Sequence, residues 1–198
     1  MTFQPIPFEL GAFEIILVNS GISHELASSE YNKRRKTCES VVEKAKVRNI
    51  SIKSVSDLNL DTLNMLKPAL TDIDYKRAMH VIKENNRVLK AAAALQNSNI
   101  LELGKLIYDS HSSLNEQYEV SCDELNFLVD ATKELDYVLG SRMMGGGFGG
   151  CTLNIVAQEH QSLFRQKISS SFQKIFGTEP VIYDVKISEG AQILSESN

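Results

Sequence analysis

The sequence predicts an α+β fold: a ferredoxin-like βαββαβ core with additional helices inserted after the first strand. Three observations lead there. A short, nearly continuous apolar run at 13–18 reads as a buried strand close to the N-terminus. A long middle region repeats apolar residues at helical spacing. Beyond the glycine-rich segment at 145–150 the period shortens, and strands at 151–157 and 181–187 flank one helix. With the first strand joined to the last three, the order becomes β, helices, β, β, helix, β.

Each element has its own signals. Gly21 ends the first strand, Ser23 offers a helix N-cap, and Glu25 suits the positive end of the helix dipole. Ala27, Tyr31, Cys38, Val42 and Ala45 then share one face of a helix over 23–47. The polar stretch 47–71 predicts turns and short helical pieces. From Asp72 a long helix carries Ile73, Ala78, Val81, Ile82, Val88, Leu89, Ala92 and Leu95, and Asn97-Ser98-Asn99 breaks it. A short helix follows over 100–107. Ser121 and Glu124 stand as a capping box for a helix with Leu125, Leu128, Val129, Thr132 and Leu135 inward. The helix at 161–176 ends at Gly177, and 195–198 are expected to fray.

Composition narrows the class of function. The 198 residues are 42% hydrophobic and 23% charged, with net charge −4 and pI near 5.6. That is an ordinary soluble profile without the basic excess of a nucleic-acid binder. No apolar run reaches the length of a membrane span, and no signal peptide is visible at the N-terminus. Cys38, Cys122 and Cys151 are odd in number and far apart, which predicts free thiols and a cytoplasmic home. No HExxH or cysteine pair suggests a protein-built metal site.

The densest chemical signal is Gly145, Gly146, Gly147, Phe148, Gly149 and Gly150. Five glycines in six residues remove the β-carbons that keep backbone from a ligand, so successive amides could converge on an anion. Gly145, Gly147 and Gly150 formally fit G-x-G-x-x-G, but the run enters a strand and not a helix, which excludes a Rossmann turn. No Gly-Lys-Ser/Thr follows, which excludes a Walker A loop. On spacing alone a flexible hairpin between strands explains the run equally well.

At this point the residues resemble a family. MMGGGFGGCT at 143–152 is similar to the third motif of the GHMP small-molecule kinases in its galactokinase form. Four stretches resemble galactokinases in the same order: VNSGISHELASSEYNKRR at 18–35, YKRAMHVIKENNRV at 75–88, SHSSL at 110–114 and YEVSCDEL at 118–125. The resemblance implies ATP- and Mg²⁺-dependent phosphorylation of the anomeric hydroxyl of D-galactose, in a cleft between two halves. It implies a sugar-contacting role for Tyr31 and an active-site loop role for Gly145–Gly150. The family's G-E-H-x-D-Y signature, its G-L-S-S-S phosphate loop and its catalytic Asp segment are absent from this sequence. The chain is therefore expected to be one carboxy-terminal domain, its first 20 residues continuing from an amino-terminal half. Alone it would be inactive, with no catalytic residue and no bound ATP or Mg²⁺. The partners implied are galactose, ATP and that other half, with neither nucleic acid nor membrane. A kinase for N-acetylgalactosamine or arabinose, or a galactose-sensing regulator descended from a kinase, would share these motifs.

Beside that resemblance, the residues have plainer readings. Tyr31 could be a helix-face tyrosine at a domain edge. Lys33, Arg34, Arg35 and Lys36 read as a solvated face with pairs such as Glu30–Arg34, or as a bridge to the missing half. Ser110 and His111 are adjacent on a helix and face apart, so they suit a cap or a helix–helix bond better than nucleophile and base. His24 is similar. Cys151 is expected buried, and Phe148 is expected to pack beneath the loop. Apolar groups are expected to lie exposed around Tyr31 and the glycines, where the other half would sit.

Overall fold

Four antiparallel strands form one sheet in the computed structural model, which describes residues 5–22 and 27–186, with side chains from residue 30 onward in the second segment. They are β1 (Phe13–Asn19), β2 (Val138–Met143), β3 (Cys151–Ala157) and β4 (Val181–Val185). The spatial order is β2-β3-β1-β4, the ferredoxin-like order. Among the described residues β1 pairs with β3 and β4, while β2 pairs only with β3. β2 is the strand that the sequence pattern required without bounding. A bulge between Val138 and Gly140 shifts its register.

The helices divide between the two faces. α5 (Asp123–Lys133) and α6 (Gln161–Phe176) cover one face, where Ile16, Val18 and Val156 meet Leu128, Phe164, Ile168 and Phe172. The insertion after β1 consists of α1 (Ala27–Val47), α2 (Leu60–Leu66), α3 (Asp72–Gln96) and α4 (Ile100–Ser113). The end of α3 and α4 cover the second face, where Phe13, Ile15 and Ile155 meet Leu10, Ala94 and Leu103. This explains why β1 is apolar at successive positions and does not alternate. α4 lies unusually close to β2: Gly104 and Gly140 face each other, and a β-carbon on either would strike the other strand's or helix's backbone. α1 and α2 pack on the outer side of α3 through Val41, Ala45, Leu63, Leu66, Ala78 and Ile82.

Several local expectations change. Ser23, His24, Glu25 and Ser195–Asn198 lie outside the described residues. Val41, Ala45 and Arg34 are buried residues of α1, whereas Tyr31, one turn before Arg34, is exposed. On α3, Ile73, Val88 and Leu89 are exposed, while Asp74, Arg77 and His80 are buried. These polar groups are buried because each finds a partner on α1, α4 or the turn after α4. A capping box of Thr71 with Asp74 opens α3. At α5 the N-cap is Cys122, with no side-chain cap bond, and the Ser121 hydroxyl is buried without a partner among the described residues. The helix expected over 100–107 continues to Ser113 and then widens into one π-turn, Leu114–Tyr118.

A buried polar trio crosses the sheet beneath α5 and α6. The Ser141 hydroxyl donates to Asn154 Oδ1 at 2.7 Å. Asn154 Nδ2 donates to the Ile16 carbonyl at 3.0 Å and to Thr152 Oγ1 at 3.1 Å. All three side chains are closed to solvent and satisfied by one another.

Candidate functional site

The glycine run connects β2 to β3 and folds back over the ends of other elements. Met144 N–H donates to the Cys151 carbonyl at 3.0 Å, closing the loop's neck. Phe148 N–H donates to the Val120 carbonyl at 2.6 Å, and Gly150 N–H to the Ile22 carbonyl at 3.2 Å. Both the amide and the hydroxyl of Ser20 donate to the Gly150 carbonyl at 2.9 Å. At least two of the run's amides are thus engaged within the protein, which leaves fewer donors for an anion than the length of the run suggests. Close approach accounts for much of that count. At Gly147, with φ +91°, a β-carbon would fall well inside 3.0 Å of the Val120 carbonyl oxygen. At Gly149 it would come within 2.7 Å of the Ile22 carbonyl oxygen. Gly147 and Gly149 are buried, whereas Gly145 and Gly146 are exposed.

Tyr31 meets the exposed part of the run. Its ring carbon Cε2 lies 2.9 Å from where a β-carbon of Gly146 would be, so the phenol rests on bare backbone. Tyr31 is 58% exposed and stands at the mouth of a cleft of about 140 Å³. Arg34, Leu114, Tyr118, Gly145 and Gly146 line the rest. Ile22 and Met144 are also exposed. With Tyr31 they give the apolar rim expected around the loop. A larger cleft of about 330 Å³, between α1 and the turn at Val55–Asp57, contains Arg35, Cys38 and Lys53 but no residue of the glycine run. The smaller cleft is the better candidate, because Tyr31 and the glycines converge there.

The basic run divides. Lys33 and Arg35 are exposed and pair along the helix with Glu30 and Glu39. Arg34 departs from the solvated reading: it is buried and bonds Glu30 and the carbonyls of Tyr118 and Glu119. Phe148 packs under the loop with Leu114, Val120, Leu125 and Met143, and the Arg34 guanidinium lies over its ring. Cys151, expected buried, is only half-buried, at the outer end of its strand, and all three cysteines are free.

Behind the cleft lie neutral, buried histidines. His80 Nδ1 bonds Ser113 Oγ at 2.8 Å and stacks on Tyr118. Burial depresses its pKa to about 4. His111 accepts the Met143 N–H on Nδ1 at 3.2 Å, which places its proton on Nε2. Burial brings it to about 4 as well. Ser110 donates to Glu84 at 2.6 Å. Ser110 and His111 therefore serve separate helix–helix and helix–strand bonds. Burial pushes the Tyr118 phenol up to about 12. Tyr118 and Val120 are cleft-forming residues that sequence reasoning did not assign to a site, and Arg34, read as solvated or as a bridge to another half, joins them. Among the described residues no group of three or more His, Cys, Asp or Glu could hold a metal ion.

Comparison with known proteins agrees with this arrangement. Residues 91–174 match the family model described as GHMP kinases C terminal. A galactokinase of Thermotoga maritima is 38% identical over 97% of this chain and 52% of its own length. One of Clostridium acetobutylicum is 39% identical over 91% of this chain and 46% of its own length. The chain thus spans about half the length of the curated relatives it matches. The crystal structure of Lactococcus lactis galactokinase complexed with galactose superposes with a TM-score of 0.88 at 31% identity, covering 95% of this chain and 48% of that one. L. major mevalonate kinase, at 22% identity and a TM-score of 0.57 over 92% of this chain and 44% of that one, shares the fold. Residues 91–174 thus match the C-terminal domain of the GHMP kinases, and nearly the whole chain is similar, in sequence and in fold, to about half of a galactokinase.

Proposed function

We propose that this chain supplies the sugar-side wall and the closing loop of a galactokinase, which transfers the γ-phosphoryl group of ATP to the anomeric hydroxyl of D-galactose. The observation that carries the reading is the seating of Tyr31 on the bare backbone of Gly146 at an open cleft. A phenol held there can exchange a hydrogen bond with a sugar hydroxyl while the loop excludes water from one side. Gly145 and Gly146, exposed at the cleft, present backbone to the ligand, while Gly147 to Gly150 hold the loop's shape. No catalytic group is assigned to this chain. Phosphoryl transfer depends on positioned charge around the phosphates, and that charge is assigned to an amino-terminal half. Mg²⁺ is assigned to the ATP phosphates and the same half, and no step is derived through it. Scattered free thiols favour a cytoplasmic setting.

The test uses this chain with an amino-terminal galactokinase half supplied in trans, following galactose 1-phosphate. The pair turns over and the chain alone does not. Tyr31→Phe in the pair raises KM for galactose about 2- to 12-fold, the loss of one neutral hydrogen bond of about 0.5–1.5 kcal/mol, with a smaller change in kcat. An unchanged KM, or sugar phosphate formed by this chain alone, refutes the reading.

A further inference from the structure

Arg34 lies one helical turn beyond Tyr31 on α1 and is only 6% exposed. A guanidinium so enclosed needs hydrogen-bond partners. Nε donates to the Tyr118 carbonyl at 3.3 Å, Nη1 to the Glu30 carbonyl at 3.3 Å and to the Glu30 carboxylate, and Nη2 to the Glu119 carbonyl. The guanidinium carbon sits 5.0 Å from the centroid of the Phe148 ring. One side chain therefore joins α1, the turn at 118–120 and the glycine loop.

That turn is held from its other side as well. Glu119 has left-handed backbone, φ 59°, and its carboxylate takes Lys76 at 3.2 Å and Arg77 at 3.3 Å from α3. The next carbonyl, Val120, receives the Phe148 N–H and leaves no room for a side chain at residue 147. Turn and loop thus move together or not at all, and Arg34 touches both.

We infer that Arg34 is a positioning residue: it clamps the 118–120 turn to the Phe148 ring and so sets the glycine loop against Tyr31. Its consequence for sugar binding rests on the function proposed above, whereas the clamp belongs to this chain alone. The planar fork is essential. It reaches carbonyls in different directions while stacking on a ring, which the point charge of a lysine cannot do.

Residue-resolved hydrogen exchange on the 198-residue chain tests the clamp. The reporters are the Phe148 amide, bonded to Val120, and the Val120 amide, bonded to Leu114 at 3.1 Å. Arg34→Lys and Arg34→Met each speed exchange at both reporters by about tenfold or more, the effect of losing charge-assisted bonds. The Ile155 amide in the central strand changes less than about twofold, as a distant site should. Wild-type exchange at Phe148 in Arg34→Lys overturns the inference, as does equal acceleration at Ile155. Should the Arg34 variants not fold, Phe148→Leu removes the ring under the guanidinium, and an unchanged Val120 amide in that variant overturns it too. Titration of the reconstituted pair with galactose is read separately: no response there refutes the proposed function and leaves the exchange result standing.

Discussion

Replacing Gly147 with alanine tests the contact on which the loop's shape depends. The residue has φ +91°, and the Val120 carbonyl oxygen occupies the place of a β-carbon. An L-residue forced to positive φ costs about 1–2 kcal/mol. Moving a packed backbone aside costs about 1–3 kcal/mol more, as overpacking does elsewhere. The total is about 2–5 kcal/mol. In a chain of this length each kcal/mol lowers Tm by about 2–4 °C, so Gly147→Ala should melt roughly 10 °C early. Gly145→Ala is the control. It has φ +73° but nothing within 4 Å of the added carbon, so only the first cost applies, about 2–8 °C. Paired thermal melts at pH 7, followed by far-UV circular dichroism, measure the difference. Equal shifts for the two variants would mean that the loop does not press on the 118–120 turn.

Two further outcomes are expected. His80 and His111 are held neutral in the fold, with pKa values of about 4 against 6.5 free, so the unfolded chain binds more protons between those values. Their contribution to stability is complete above pH 6.5 and is lost as pH falls from there toward 4. Urea midpoints at pH 7 and pH 5 should show the loss, and a His80→Gln, His111→Gln double variant should show a smaller one. Gly104→Ala would ordinarily strengthen a helix by about 1 kcal/mol. Here the added carbon meets the Leu139 backbone, so the urea midpoint should fall, and a rise would refute the close contact of α4 with β2.

Strands, helices and the glycine run were legible because each has a local period or composition. The pairing of the strands was legible only as a plan, since residues 13–19 meet residues 151–157 across more than a hundred positions. The bulge in β2 broke its alternation and hid the strand's bounds. The buried face of α3 was misread for a physical reason. Arg77 and His80 look like surface residues until their partners Thr37, Glu119 and Ser113 come into place. Arg34 misled in the same way: a pairing with Glu30 one turn back is the usual mark of a solvated helix, and nothing local announces the turn that covers it. Within the site, Tyr31 and Gly146 are brought together, while the turn at 118–120 could be found only in three dimensions.

The trio of Ser141, Asn154 and Thr152 has a consequence for how the chain finds this arrangement. Sliding β3 by one residue would turn Asn154 toward Leu10 and Leu103, and its amide would lose the Ile16 carbonyl and the Ser141 hydroxyl on the neighbouring strands while keeping Thr152 on its own. Each group stranded in that way costs about 1–3 kcal/mol, and the Ser141 hydroxyl and the Asn154 side chain would lose their cross-strand bonds together. Mispaired sheets are thus penalised, and the alignment that sets Gly145 and Gly146 at the cleft is the one that survives.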